Sequence, residues 1–123
     1  MKKLYSLLPI LLSVNAIAAE IPKSTQKEVE HLLQYLENSG CQFNRNYTWH
    51  TAPEAAEHLN TKYEYLAAKG KITTTESFIE MAATKSSMSG KQYEVRCENQ
   101  PAIPSSTWLN TELNNLRELK RTN

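Results

Sequence analysis

The sequence has 123 residues, with 14 Lys and Arg against 13 acidic residues, all of them Glu, for a net charge of +1. That balance excludes nucleic acid or another polyanion as the main partner. With 40% hydrophobic residues in one short chain, there is no room for a multi-helix membrane protein or a doubly wound nucleotide-binding enzyme.

The first segment reads as a secretory signal peptide. Lys2 and Lys3 precede an apolar run over residues 7–14, and Ala16-Ile17-Ala18 places small residues at the −3 and −1 positions of a cleavage site near Ala18/Ala19. The run is shorter than the roughly 18 to 20 residues that span a bilayer, and Pro9 and Asn15 interrupt it. Residues 1–19 are therefore expected to be removed, leaving 20–123 as a single small exported domain of the periplasm or the exterior, with no membrane span. Loss of Lys2 and Lys3 leaves 12 basic residues against 13 Glu, a net charge of −1.

Four helices are predicted along the remainder, and the fold class is mainly α with a small two-stranded β element. Thr25-x-x-Glu28 has the form of a capping box, with Val29, Leu32, Leu33 and Leu36 following at helical spacing up to Asn38-Ser39-Gly40. Thr51-Ala52-Pro53-Glu54 is a second capping box, opening a helix whose apolar face is Ala55, Leu59, Tyr63 and Leu66 and which stops before Gly70. Thr73-x-x-Glu76 opens a shorter third helix with Phe78, Ile79, Ala82 and Ala83 inward, closed by the Ser-rich residues 86–90. The fourth begins after Pro104 and turns Leu109, Leu113 and Leu116 to one side.

Two segments alternate with period two and read as strands: Cys41-Gln42-Phe43-Asn44-Arg45 and Tyr93-Glu94-Val95-Arg96-Cys97. Each carries a Cys on its apolar side. In an exported chain that pair reads as a disulfide, Cys41 to Cys97, joining the two strands; a metal site or a reactive thiol are the competing readings. Leu, Ile, Val and Phe total 17 residues of the last 104, or 16%, so the core is thin. Tyr35, Tyr47, Tyr63, Tyr65, Tyr93, Trp49 and Trp108 are expected to supply much of the buried area.

Phe43-x-Arg45-Asn46, His58-Leu59 with Lys62 one turn on, Thr75-Glu76-x-Phe78-Ile79, Ser86-Ser87-x-Ser89-Gly90, Tyr93-x-Val95 and Trp108-Leu109 together resemble the YfeK-like family of small exported proteins of Gram-negative bacteria. The resemblance implies a periplasmic protein with a domain of unknown function. It assigns no catalytic or binding residue.

The polar members of those motifs form the candidate site: Arg45, Asn46, His58, Lys62, Ser86, Ser87 and Ser89. The strand carrying Arg45 leads into the second helix, on which His58 and Lys62 share a face at i, i+4. If the Ser-rich turn folds over that face, the group suits a small anion or carboxylate, with Arg45 as a bidentate donor and backbone amides near Ser89-Gly90 assisting. The alternative is structural: residues 86–90 cap the third helix, Arg45 and Lys62 pair with Glu54, Glu57 or Glu76, and Glu54 pairs with His58.

Catalysis has less support. A Ser-His arrangement lacks an Asp, and Ser24-x-x-Lys27 matches the Ser-x-x-Lys of penicillin-recognising enzymes without their other motifs. No catalytic residue, cofactor or metal is expected: His31, His50 and His58 lack ligand spacing, and without Asp a calcium loop is disfavoured. Asn46-Tyr47-Thr48 is a glycosylation sequon by pattern alone. The expected role is a non-enzymatic binding or interaction module whose partner is an unknown periplasmic protein or envelope component. The alternatives are an immunity-type inhibitor of a secreted hydrolase or a small hydrolase.

Overall fold

The computed structural model describes residues 20–123; residues 1–19, the segment expected to be a signal peptide, lie outside the described residues. Helix α1 spans Lys23–Glu37, α2 Ala52–Ala68, α3 Thr75–Ala82 and α4 Ser105–Thr122. Strands β1 (Gln42–Arg45), β2 (Thr48–Thr51), β3 (Glu94–Arg96) and β4 (Ile103–Pro104) form one antiparallel sheet in the order β2-β1-β3-β4. The two strands expected from alternation are its central pair, and two further short strands flank them. This is an α+β fold.

Register explains the disulfide. Gln42 faces Arg96 across β1 and β3, so Cys41 and Cys97, one step further out, face each other with 4.3 Å between Cα atoms, and their sulfurs are bonded. Alternation then sends Cys41, Phe43 and Arg45 to the helix side of the sheet. Gln42 and Asn44 go to the other side, where Arg96 stacks on Trp49 at 3.9 Å and donates to Gln42 Oε1.

Strand β2 follows β1 through a two-residue turn. Asn46 and Tyr47 both take positive φ, 54° and 69°, the backbone of the turns that match strand twist. Asn tolerates that region and Tyr does not favour it, so the hairpin was not legible from the residue types.

The core lies between the sheet and the helices: Val29, Leu32 and Leu36 from α1, Ala55 and Leu59 from α2, Phe78 and Ile79 from α3, Leu109 and Leu113 from α4, with Phe43, Tyr93 and Val95 from the sheet region. The aromatic residues divide differently from expectation. Tyr93 is buried beside Phe43, whereas Tyr35, Tyr47 and Tyr65 are exposed. Small residues and close helix packing fill the space instead.

Helix starts show which polar residues act locally. Thr51 and Glu54 form the expected capping box at α2. At α3 the box is one residue later than predicted, Thr74 with Ser77. At α1 the expected box is absent: Pro22 is the N-cap without a side-chain cap bond. Thr25 donates instead to Thr73 O at 3.2 Å, and Glu28 accepts from Thr75 Oγ1 at 2.5 Å and from Arg117. Both polar side chains are drawn into tertiary contacts because their face of α1 packs against α3 and α4.

Candidate functional site

Helix α2 presents His58 and Lys62 on the face turned to the sheet, and β1 sends Arg45 to the same side. The loop before β3 brings Tyr93 between them. A fourth segment closes the group. Residues 86–90 do not cap α3, which ends at Ala82 with Ala83 as its C-cap; they form the tip of a small hairpin held by the Lys85–Gln92 bridge. Together these segments enclose a cavity of about 210 Å³ lined by Arg45, Asn46, His58, Lys62, Ser86, Ser87, Met88 and Tyr93. Six of the seven predicted polar residues line it. The seventh, Ser89, stands at its rim and donates from Oγ to Asn46 Oδ1 at 2.6 Å.

The turn has its own hydrogen bonding. Ser86 Oγ accepts from the amides of Met88 and Ser89, Ser86 O accepts from the amide of Gly90, and Ser89 Oγ accepts from the amide of Lys91. The amides expected to assist a ligand near Ser89-Gly90 are thus consumed within the turn. Gly90 sits at φ +76°, which closes it.

At the centre, Tyr93 Oη lies 3.1 Å from both Lys62 Nζ and His58 Nε2. Lys62 also donates to Lys85 O at 3.2 Å. The Tyr93 ring packs on Phe43 at 5.0 Å between centroids, which fixes the hydroxyl in place. Tyr93, missed as a site residue because its alternation marked it as core, is both.

The electrostatics are one-sided. Burial, with the charges of Arg45, Lys62 and His50 adding, pushes the His58 imidazole down to about 4. Burial and the nearby Arg45 lower the Lys62 ammonium, and burial raises the Tyr93 phenol against an opposing pull from Arg45. Two of the three carboxylates expected as alternative partners, Glu54 and Glu76, are engaged elsewhere. Glu54 accepts from the Thr51 amide and lies 3.8 Å from His50, not against His58. Glu76 pairs with Arg117. Among the described residues neither Arg45 nor Lys62 pairs with a carboxylate, and no cluster of three His, Cys or Glu could hold a metal.

Comparison with known families places this domain. A model described as a family of unknown function, DUF5329, matches residues 23–117. The chain belongs to the DUF5329 family. The match takes in all four strands, most of the four helices and every residue of the cavity, so the site is part of the DUF5329 domain itself. It supports a domain of unknown function at the level the motif resemblance implied, and nothing in it points to the YfeK-like family in particular. Searches of the curated proteins and of the solved structures find no match. No helix among the described residues is long and apolar enough to cross a membrane.

Proposed function

We propose that this DUF5329 protein is exported and serves as a non-enzymatic binding module, its ligand a small anion seated on Arg45 and Lys62. The observation that carries the reading is the convergence of these two cations, from β1 and α2, on one partly enclosed cavity with no carboxylate against them among the described residues. A half-buried cation without a counter-charge is costly to hold, and an incoming anion recovers that cost. The basic and apolar pattern of residues 1–19 and the disulfide support export. A hydrolase reading is weakened because His58 faces the Tyr93 hydroxyl rather than an orienting carboxylate.

The test is an NMR titration of the oxidised protein with sodium sulfate and sodium acetate. Saturable shifts at Arg45, Lys62, His58 and Tyr93 are expected, and Arg45→Ala should weaken them at least tenfold while the thermal midpoint stays within a few degrees. Shifts spread over the surface without saturation would refute an anion site.

A further inference from the structure

The hydrogen-bonding capacity left over in the cavity narrows the ligand further, and this step rests on the anion reading above. Lys62 has three N–H donors and spends two, on Lys85 O and Tyr93 Oη. An ammonium can only donate, so Tyr93 Oη accepts from Lys62, and its remaining hydrogen-bonding capacity meets His58 Nε2. Tyr93 and His58 therefore satisfy one another and hold Lys62 in place. One Lys62 N–H remains free. Among the described residues the Arg45 guanidinium makes no hydrogen bond, the Asn46 amide nitrogen is free because Oδ1 takes the Ser89 proton, and the Ser87 hydroxyl is unused.

This inventory is two positive charges and a set of donors supplied by four separate segments: β1, the β1–β2 turn, α2 and the Ser-rich hairpin. A monocarboxylate has two coplanar oxygens and one charge. It would leave one cation uncompensated and at least one donor unmet. We propose that the cavity binds a dianionic tetrahedral oxyanion, of the phosphate, phosphomonoester or sulfate type, in preference to a monocarboxylate. Its volume of about 210 Å³ accommodates such a head group but falls below the range of drug-sized ligand sites, roughly 300–1,000 Å³. Met88, 92% exposed at the rim, leaves a way out for the organic part of an ester.

Calorimetric titration of the oxidised protein with sulfate, inorganic phosphate, glycerol 3-phosphate and acetate tests the assignment. At pH 7.5 sulfate and the two phosphates should bind at least tenfold more tightly than acetate. A phosphomonoester loses its second proton near pH 6, so moving from pH 7.5 to 5.5 should weaken glycerol 3-phosphate about fourfold, because its dianion becomes the minor form. Sulfate stays dianionic and should keep its affinity, since His58 remains neutral over that interval. Glycerol 3-phosphate tighter than phosphate identifies an ester as the natural form; equal affinities identify the free oxyanion. Either outcome supports the proposal. Arg45→Ala should cost at least tenfold for sulfate. Lys62→Met, which keeps an unbranched side chain without the charge, should do the same if Arg45→Ala proves too unstable to measure. Acetate and sulfate binding equally, both weakened by Arg45→Ala, would overturn the dianion assignment and leave the anion site standing. Absence of saturable binding by all four would overturn both.

Discussion

His58 links the cavity to the stability of the protein. Its imidazole titrates at about 4 in the fold because burial and the charges of Arg45, Lys62 and His50 oppose protonation, while an unfolded His titrates near 6.5. The unfolded chain therefore takes up the proton first as pH falls. Stability from this group is complete above about pH 6.5, declines between about 6.5 and 4, and levels off below. Between pH 7 and 5 the loss should be about 1–2 kcal/mol after allowance for the partial exposure of the ring. Urea midpoints of the wild type and His58→Gln at the two pH values check it: the variant should show a shallower pH dependence over this interval, and equal slopes would refute the assignment. The membership of the cavity was legible because polar residues recurred inside otherwise apolar motifs, at i, i+4 on one helix and at the end of the neighbouring strand. The parts that were not legible depend on partners far away in the chain. Nothing near Arg45 or Lys62 showed that Glu54 and Glu76 would be taken by Thr51 and Arg117, and nothing near Tyr93 showed that a core aromatic would aim its hydroxyl into the cavity.

Among the elements, α3 depends most on its neighbours. It has eight residues, too few to be stable alone, and Arg117 of α4 ties it down. That guanidinium donates to Glu76 of α3 at 2.6 Å and to both carboxylate oxygens of Glu28 of α1, at 2.9 and 3.0 Å. The Arg117 bond chiefly, opposed by burial and aided by Thr75, holds the Glu28 carboxyl below its usual value. Glu28 is 9% exposed and Glu76 lies mostly in solvent, so the two halves of the clamp are unequal. Arg117→Met should cost about 1–3 kcal/mol, because it leaves the Glu28 charge buried without its partner, whereas Glu76→Gln should cost less than about 1 kcal/mol. Chemical denaturation of the two variants checks the order, and the reverse order would show that α3 is held from the exposed side. The same contact explains where the local reading of helix starts failed. Thr25 and Glu28 have the spacing of a capping box, yet a capping box needs both side chains to turn back to their own backbone, and here tertiary partners claim them. At α2 no such competitor is present, and Thr51 with Glu54 caps as the pattern requires. Strand β2 was missed for a related reason: its turn is built from Asn46 and Tyr47 in positive φ, without the glycine that ordinarily announces such a turn.

For the whole molecule the disulfide determines which parts hold together. The bond between Cys41 and Cys97 closes a loop with a sequence separation of 56, and that loop contains β1, β2, α2, α3 and β3, hence every residue of the cavity from Arg45 to Tyr93. Helices α1 and α4 lie outside it and are joined to each other and to α3 through Glu28, Arg117 and Glu76. The buried set includes five alanines, Ala52, Ala55, Ala56, Ala82 and Ala83, which contribute little apolar area each, so the constraint on the unfolded chain is a large share of the net stability. On the chain-entropy model a loop of this length is worth about 4 kcal/mol, and at about 4–8 °C per kcal/mol for a domain near this size reduction should lower the thermal midpoint by about 15–30 °C. The oxidised protein, the protein in excess dithiothreitol and the Cys41→Ser/Cys97→Ser double variant should be melted side by side, with and without sulfate. The last two should melt together, well below the first. If the double variant remains folded at 25 °C, its cavity segments are no longer tied at their ends, so the sulfate-induced rise in midpoint should shrink more than it does for Arg117→Met, whose more buried lost partner, Glu28, lies outside the loop. Equal melting of the oxidised and reduced forms would mean that helix packing alone holds the cavity in shape.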